Sequence, residues 1–338
     1  MSSTAIAAQR AHQRRIVDQL AEHGPPAPAD AVIETHLSWV ILAGDRALKL
    51  KKALHYPWLD YASLAARRHQ CREEVRLNRR LAPAVYLGVA AVSATDGGHL
   101  VLDGDGPPLA YLVRMQRLPE RDCLGQRLGT GGVTPAEVDT LADTLSGFYA
   151  ARTPFTPPPH AWLEAMRGHI DADSTALGVS RYGLDRALIR RVARDVHGLL
   201  DDRADEIGGR LRDGRVVEGH GDLRAEHVYF TPGPTVIDCL EFDRGLRIVD
   251  PADELAFLAL ECHRLGAEWI GPRPLRRYTE VCGDAPGDRL LAAYTGRRAL
   301  LWAKLAVWHL DRDPARDREK WLERAGTYLT LARERILG

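Results

Sequence analysis

The chain has 338 residues, of which 45% are apolar and 27% are charged, close to the values of ordinary globular proteins. This composition excludes disordered, collagen-like and disulfide-stapled chains. Lys and Arg total 46, as do Asp and Glu, so the chain lacks the basic excess that is typical of a protein that binds duplex nucleic acid. We therefore expect no nucleic-acid partner.

The sequence also favours a cytoplasmic protein that does not enter a membrane. No apolar run reaches the roughly 18 residues that a bilayer-spanning helix needs. Residues 4–22 contain Arg10, Arg14, Arg15 and Asp18 in place of the apolar core of a secretory signal. The five cysteines are odd in number and have no CxxC spacing, which favours free thiols in a reducing compartment.

The residue pattern in the first third of the chain predicts a β-rich region with two helices. Helices are predicted over residues 4–22, closing at Gly24-Pro25-Pro26, and over residues 63–82, with Asp60 or Ser63 as the cap and Pro83 as the stop. Strands are predicted at residues 32–34, 39–43, 46–51, 89–92, 99–102 and 109–115. Gly44-Asp45 is typical of a tight turn between two of them.

From Pro119 onward the pattern becomes helical, with one short β island. Helices are predicted at residues 135–151, 161–176, 183–206, 251–266, 287–310 and 315–336. The island comprises strands at residues 215–217, 228–230 and 235–238. The sequence thus predicts an α+β fold in which a small β-rich part precedes a larger helical part that holds a β-hairpin.

Two aspartates of the β island form a pattern that suits phosphoryl transfer. Asp222 is expected in a loop that precedes the hairpin, and Asp238 is expected where the second hairpin strand ends. One such carboxylate orients a hydroxyl group and accepts its proton, while the other holds Mg²⁺ on the phosphates. Kinase catalytic loops read H-x-D-L-x-x-x-N and are followed by a hairpin with a metal-binding Asp.

The chain resembles the aminoglycoside phosphotransferase and choline kinase group, which shares the protein-kinase-like fold. The resemblance rests on three segments, His220-Gly221-Asp222-Leu223, Ile237-Asp238-Cys239 and Asp250-Pro251-Ala252-Asp253-Glu254-Leu255-Ala256. In the third segment Glu254 replaces the Asp of that group. The resemblance implies a bilobal fold with a small β-rich N-lobe at residues 1–118, a larger helical C-lobe at residues 119–338, and ATP between them.

Two further runs look like one branch of this group. They are Glu34-Thr35-His36-Leu37-Ser38-Trp39 and Leu77-Asn78-Arg79-Arg80-Leu81-Ala82-Pro83. In that branch the kinase domain is often fused to a C-terminal P-loop domain. The chain has no GxxxxGK[ST] motif, so we expect that domain to be absent.

The resemblance assigns roles to residues near the hairpin. Asp222 matches the catalytic aspartate, and Arg224 falls where protein kinases carry a lysine, so its guanidinium could neutralise the transferring phosphoryl group. Asp238 matches the metal-binding aspartate, with Glu241 or Asp243 as alternative ligands.

His227 departs from the group, which places an Asn metal ligand there. Mg²⁺ prefers oxygen ligands, whereas imidazole suits softer ions. Three interpretations of His227 stay open, namely a weakened metal site, a hydrogen-bond donor to the phosphates, and tolerance of Mn²⁺.

The nucleotide is expected on the β-rich part. The run Arg46-Ala47-Leu48-Lys49 resembles the V-A-I-K strand of kinases. Alternation places Ala47 and Lys49 on one strand face, where the resemblance implies that the small side chain leaves room for adenine and the ammonium reaches the phosphates. Lys51 shares that face and is the alternative. Glu74 of the following helix is the expected partner of Lys49, with Glu73 as the alternative because one residue turns a helix by about 100°.

Two loops complete the expected nucleotide site. The run Thr35–Ser38 lacks the G-x-G-x-x-G of protein kinases, so hydroxyls and backbone N–H groups, Ser38 among them, would hold the phosphates. Gln116–Leu118 resembles the hinge that contacts adenine, with Gln116 and Leu118 as the contact residues.

These features predict an ATP- and Mg²⁺-dependent kinase, with Mn²⁺ as a further metal, that phosphorylates a hydroxyl of a small molecule such as a sugar, amino sugar or amino alcohol. The alternative is a catalytically weak or dead pseudokinase that binds nucleotide or scaffolds a partner. An aminoglycoside acceptor is disfavoured because the C-terminal third is rich in arginine. Candidate acceptor residues are Trp269, Trp302, Trp308, Glu261, Glu268, Asp311 and Asp313, although the spacing of Trp302 and Trp308 favours core packing.

Overall fold

The chain divides into two compact units. A computed structural model describes residues 3–24, 27–56, 59–231, 233–312 and 317–337. The first unit comprises Met1–Cys123 and Tyr229–Leu246, and the second comprises Leu124–Val228 and Arg247–Gly338. The segment around Asp238 therefore groups with the N-terminal part, whereas the boundary predicted near residue 118 assigns it to the C-terminal part. The segment groups there because its backbone hydrogen-bonds to the N-terminal part. The N–H of Phe230 donates to the backbone oxygen of Asp122 at 3.0 Å, and the N–H of Val236 donates to that of Leu81 at 3.4 Å.

The first unit is built on a six-stranded antiparallel sheet in the order β1-β2-β3-β8-β6-β7. Its elements are α1 (Ser3–His23), β1 (Ala31–Glu34), β2 (Ser38–Ala43), β3 (Arg46–Lys51), β4 (His55–Tyr56), β5 (Leu59–Asp60), α2 (Leu64–Asn78), β6 (Tyr86–Ala94), β7 (Leu100–Leu102) and β8 (Ala110–Gln116). Two short strands, β10 (Val228–Tyr229) and β11 (Thr235–Val236), pair separately.

Side-chain alternation gives the sheet two buried faces. One face packs against α1, through Ile16, Val17, Leu20, Trp39, Ile41, Leu48 and Leu50. The opposite face packs against α2, through Ala47, Cys71, Val75, Val113 and Met115. Lys49 and Lys51 lie on the same side of β3 as Ala47, so their ammonium groups are directed toward α2.

The second unit is mainly helical. Its elements are α3 (Leu124–Gly129), α4 (Pro135–Ala150), α5 (Pro159–Leu177), α6 (Arg186–Asp202), α7 (Ala204–Arg212), β9 (Val217–Glu218), β12 (Ile248–Val249), α8 (Pro251–Arg264), α9 (Pro272–Cys282), α10 (Asp288–Arg312) and α11 (Arg318–Leu337). Helix α10 packs against α5, α6, α8 and α11, and β9 pairs with β12 in antiparallel orientation. This arrangement leaves the segment between β9 and β10, which contains Asp222, at the edge of the helical core.

The predicted α+β architecture is confirmed, with local differences that include the following three. The helix predicted over residues 183–206 begins at Arg186, because Asp185 caps it by accepting the N–H groups of Ala187 and Leu188, and Arg203 separates α6 from α7. Helix α9 lies in a stretch without a prediction, although it has Pro272 at its start and Gly283, with a φ of 60°, at its end. Strand β11 ends at Val236, two residues earlier than predicted.

Three further predictions concern the ends of two helices and the absence of membrane-spanning segments. Ser63 caps α2 by accepting the N–H of Ala66 at 3.0 Å, as one of the two predicted caps. The predicted closure of α1 at Pro25-Pro26 lies outside the described residues. No helix in the described ranges is long and apolar enough to cross a membrane.

Candidate active site

Two lysines of β3 share one glutamate of α2. Lys49 Nζ lies 2.8 Å from Glu74 Oε1 and 2.6 Å from Asp238 Oδ1. Lys51 Nζ contacts the other oxygen of Glu74 and also Glu241 Oε1. The ion pair between Lys49 and Glu74 is thus present as predicted, and Lys51, the alternative lysine, contacts the same carboxylate.

Solvent exposure separates the two lysines. The side chain of Lys49 is 15% exposed and that of its partner Asp238 is 45% exposed. The side chain of Lys51 is 1% exposed and that of Glu241 is 8% exposed. Lys49 and Asp238 are therefore the pair that is open to solvent, whereas Lys51 and Glu241 form an interior pair.

The interior pair is stabilised by a third polar group and stays charged. The hydroxyl of Tyr61 donates a hydrogen bond to Glu241. Burial by itself would lower the pKa of Lys51, but the charges of Glu241 and Glu74 raise it above its usual value. Burial would also lower the pKa of Lys49, and Asp238 and Glu74 raise it in the same way.

Helix α2 directs Glu74, rather than Glu73, toward the lysines. Glu74 is fully buried and lies between the core residues Cys71 and Val75. Glu73 is one helical step away and pairs with Arg76 at 2.7 Å on the outer side of α2. Of the two candidates left by the sequence, the structure brings Glu74 to Lys49.

Asp238 has an uncommon backbone conformation, with a φ of 63°. Non-glycine residues are rare in this left-handed region and cost free energy there. Two buried side chains hold the segment, since the N–H of Asp238 donates to the Tyr86 hydroxyl at 3.1 Å and the N–H of Cys239 donates to Asn78 Oδ1 at 2.9 Å. This conformation leaves nearly half of the Asp238 side chain exposed.

The other two metal-ligand candidates are engaged inside the first unit. Glu241 is held by Lys51 and Tyr61, and although burial alone would raise its pKa, Lys51 lowers it. Asp243 accepts the N–H of Gly245 at 2.7 Å in a turn. Within the ranges that the structure describes, no three His, Cys, Asp or Glu side chains form a metal-binding cluster. Asp238 nevertheless suits Mg²⁺, which binds commonly through one or two carboxylates together with phosphate oxygens.

Three predicted nucleotide contacts have other partners. Ser38 is 1% exposed, and its N–H donates to the Thr35 hydroxyl at 3.0 Å in the turn between β1 and β2. The side chain of Gln116 accepts a hydrogen bond from Arg46. Leu118 packs against the α2 face of the sheet. Burial leaves Ser38 with no exposed hydroxyl for a phosphate, and the nucleotide roles of all three stay predictions.

In the second unit, Glu254 fixes the backbone that precedes Asp222. Its carboxylate accepts the N–H of His220 at 3.0 Å, the N–H of Gly221, and the hydroxyl of Tyr149 at 2.9 Å. A Cβ at Gly219 would lie 2.5 Å from Glu254 Oε2, so the chain needs glycine there. The sequence analysis assigned no role to Glu254, and the signal that could have identified it was its position in the segment that begins with Asp250-Pro251.

Asp222 lies in a cluster of charged side chains. Arg224 Nε lies 3.3 Å from Asp222 Oδ1, and Arg224 Nη1 lies 2.9 Å from Glu226 Oε2. The guanidinium of Arg224 also lies 4.4 Å from the ring centroid of Trp302. Arg224 is therefore held among Asp222, Glu226 and Trp302, and its predicted contact with a phosphoryl group stays a prediction.

The hydrogen bonds of His227 fix its tautomer. Its Nε2 lies 3.1 Å from Arg224 Nη2, and its Nδ1 lies 2.8 Å from the backbone oxygen of Asp222. Because arginine only donates hydrogen bonds, Nε2 accepts, and the ring proton is on Nδ1. The one imidazole lone pair is therefore directed at Arg224, and this arrangement gives no support to His227 as a metal ligand.

The candidate acceptor residues are not brought together. Trp302 and Trp308 pack against the helical core, as their spacing favoured, and Asp311 pairs with Arg181 at 2.8 Å. Glu261 is fully buried and accepts the hydroxyl of Tyr328. Trp269 is 43% exposed between α8 and α9, where Glu268 Oε2 lies 3.9 Å from His263. Asp313 lies outside the described residues.

Comparisons with known proteins found relatives in sequence and in structure. No family model matches the chain. Uncharacterized proteins of Mycobacterium tuberculosis and Mycobacterium bovis are 32% identical over 282 residues, which cover 81% of this chain and 54% of those proteins. The chain thus spans about half the length of the curated relatives that it matches.

Two solved structures are similar over nearly the whole chain. A choline/ethanolamine kinase family protein from Mesorhizobium loti has a TM-score of 0.51 at 13% identity, covering 95% of this chain and 99% of that one. A thermostable mutant of aminoglycoside phosphotransferase APH(4)-Ia has a TM-score of 0.50 at 15% identity, covering 93% and 98%.

Proposed function

We propose that this chain, which has the protein-kinase-like fold of the choline kinase and aminoglycoside phosphotransferase structures, is an ATP-dependent phosphotransferase that acts on a hydroxyl of a small molecule. We take this fold as given, because the motifs in the sequence and the two similar structures indicate the same fold. The activity is inferred from the two sets of charged residues, one in each unit.

The observation that carries the proposal is the position of Lys49 between Glu74 and Asp238. In kinases a lysine of the third strand pairs with a helix glutamate and contacts the phosphates, while an aspartate after the hairpin holds metal. Lys49, Glu74 and Asp238 have the same element origins and the same charges. We assign phosphate contact to Lys49 and metal binding to Asp238, with the phosphate oxygens of ATP as further Mg²⁺ ligands.

In the second unit, Asp222 would orient the acceptor hydroxyl and take its proton. The hydroxyl oxygen forms a bond to the γ-phosphorus while the bond from that phosphorus to the bridging oxygen breaks, and ADP leaves. Glu254 holds the backbone of His220 and Gly221, so it would position Asp222 without touching the substrate. Arg224, whose Nε lies 3.3 Å from Asp222 Oδ1, would hold that carboxylate in position.

The second candidate function is nucleotide binding without transfer. The observation that favours it is His227, which stands where the resembling group has an Asn ligand and is engaged by Arg224. Such a pseudokinase would bind ATP on the first unit and release no ADP with any acceptor.

A cytoplasmic location is part of the proposal for either function. The five free cysteines support it, because thiols stay reduced in that compartment.

The test is ADP release with a panel of hydroxyl compounds, measured with Mg²⁺ and with Mn²⁺. Asp222→Asn should lower turnover by about 100-fold or more, because it removes the general base. ATP binding, measured by thermal shift, should be unchanged in this variant. Asp105→Asn, an exposed aspartate of the first unit, is the control and should keep full activity.

Two outcomes would contradict the proposal. Turnover that survives Asp222→Asn would exclude Asp222 as the base. ATP binding without ADP release, with every acceptor and both metals, would favour the pseudokinase.

A further inference from the structure

The second unit contains a cleft that is lined in part by Arg224, which contacts Asp222. It has a volume of about 240 Å³ and is lined by α10, α11 and the segment that follows Asp222, through Arg224, Glu226, Trp302, His309, Trp321 and Arg324. Arg224 belongs both to this lining and to the contact with Asp222. A small molecule in the cleft would therefore contact Arg224, whose Nε lies 3.3 Å from the carboxylate of the proposed base.

The aromatic rings of the cleft already have partners from the protein. Trp302 stacks on Phe257 at a centroid distance of 5.4 Å and carries the guanidinium of Arg224 at 4.4 Å. Trp321 stacks on His309 at 3.8 Å and has Lys320 Nζ 5.7 Å from its centroid. A cationic ligand is held by open aromatic faces, and here protein side chains occupy them.

The carboxylate of the cleft is also engaged. Glu226 lies 2.9 Å from Arg224 Nη1 and 3.3 Å from Arg324 Nη2, so two guanidinium groups share its charge. A cationic acceptor, such as an amino alcohol or an aminoglycoside, would meet these guanidinium groups without an unpaired carboxylate among the described lining residues. The cleft therefore disfavours a cation.

Arg324 has spare hydrogen-bonding capacity. Its side chain is 21% exposed, and within the described part of the chain it hydrogen-bonds only to Glu226, through Nη2. The guanidinium also lies 5.8 Å from the centroid of the Trp321 ring, and among the described residues its other nitrogens make no hydrogen bond. A planar fork of this kind matches the oxygens of a phosphate or a carboxylate.

From this cleft we infer that the acceptor is an anionic hydroxyl compound, such as a sugar phosphate or a hydroxy acid, whose negative group binds Arg324. The inference rests on the proposed phosphotransferase function, since it names the substrate class of that reaction. It goes beyond that function by excluding the cationic acceptors that the names of the similar structures suggest.

The test compares compounds that share one skeleton and differ in charge. One set is glucose, glucose 6-phosphate and glucosamine, and the other is glycerol, glycerol 3-phosphate and serinol. Binding to the full chain is measured by calorimetry without nucleotide, and ADP release is measured separately with ATP. In each set the phosphate should bind most tightly, about tenfold or more above its cationic counterpart.

Variants of Arg324 test whether this residue causes the preference for phosphate compounds. Arg324→Gln should remove the preference for the phosphates, and Arg324→Lys should keep part of it because the charge remains. Arg333→Gln, an exposed arginine further along α11, is the matched control and should bind like the wild type. Thermal unfolding of each variant verifies that Arg324→Gln folds, and Arg324→Lys supplies the comparison if it does not.

The two proposals can fail separately. Equal binding across each set, or tighter binding of the cationic members, would overturn the inference about the acceptor whether or not ADP is released. A preference for the phosphates that disappears in Arg324→Gln, without any ADP release, would support the anion site and count against the phosphotransferase function.

Discussion

The side chain of Asn78 connects α2 to the backbone at Cys239. Its Oδ1 accepts the N–H of Cys239 at 2.9 Å, and its Nδ2 donates to the backbone oxygen of Glu74 at 2.9 Å. Asn78 is 1% exposed, so water cannot replace either bond. The helix that presents Glu74 to Lys49 thus also fixes the residue that follows Asp238.

Replacement of Asn78 by Leu should lower both stability and activity. The N–H of Cys239 would become a buried donor without an acceptor, which costs about 1–3 kcal/mol of unfolding free energy. The segment of Asp238 would lose one of the two side chains that hold it, so the Michaelis constant for Mg²⁺-ATP should rise. Urea unfolding and steady-state kinetics measure the two effects. Glu73→Gln on the outer side of α2 is the control and should change stability by less than about 0.5 kcal/mol.

The two lysines of β3 should respond differently to replacement by Met. Lys51→Met leaves Glu241 buried without its cation, and loss of one partner of a buried ion pair costs about 3–5 kcal/mol. Lys49→Met should cost less, because Glu74 keeps Lys51 and Asp238 is 45% exposed. Nucleotide affinity should show the opposite order, with the larger loss in Lys49→Met.

Chemical denaturation and nucleotide titration of the two variants measure this contrast. If Lys51→Met were as stable as the wild type and failed to bind ATP, Lys51 would be the phosphate contact and the assignment of Lys49 would be wrong.

The sequence predicted the parts of the site that depend on local periodicity. Alternation along β3 placed Lys49 and Lys51 on one face, and helical spacing reduced the choice of partner to Glu73 or Glu74. The sequence could not predict that both lysines contact Glu74. The position of the Lys51 ammonium also depends on its contact with Glu241, which is 190 positions away in the chain.

The features that the sequence did not reveal concern residues whose partners come from distant segments or tight turns. The turn that joins β1 to β2 buries Ser38 and uses its N–H for Thr35, and the expected contact of Ser38 with phosphate stays a prediction. The left-handed backbone of Asp238 depends on Asn78 and Tyr86, which no local pattern reveals. Residue type alone did not fix the tautomer of His227, because the ring depends on the position of Arg224.

His227→Asn should leave the metal requirement unchanged. Both ring nitrogens of His227 have protein partners, and the Nε2 lone pair is directed at a cation. The variant should therefore loosen Arg224 and lower turnover by a similar factor with Mg²⁺ and with Mn²⁺. Turnover measured against the concentration of each metal tests this. A large gain in apparent Mg²⁺ affinity in His227→Asn would instead identify position 227 as a metal site.

Glu254→Gln should alter both activity and the pH dependence of stability. An amide has one oxygen in place of two, so Gln cannot accept the N–H groups of His220 and Gly221 and the hydroxyl of Tyr149 in the same geometry. The loop that carries Asp222 should shift, and a displacement of about 1 Å near a reacting group can lower turnover by about 100-fold.

The pH dependence follows from the burial of Glu254, which raises the pKa of its carboxyl above the usual 4.5. A group with a raised pKa in the folded state contributes its full stability below its unfolded pKa and loses that contribution as the pH rises through the folded value. The free energy of unfolding of the wild type, taken relative to Glu254→Gln, should therefore decrease as the pH rises from 4.5. Urea unfolding of both proteins at several pH values from 4 to 8 measures the difference, because ionisation of all other groups cancels to first order. A difference that grows with pH would mean that the three hydrogen-bond donors outweigh burial and that Glu254 has a lowered pKa in the folded protein.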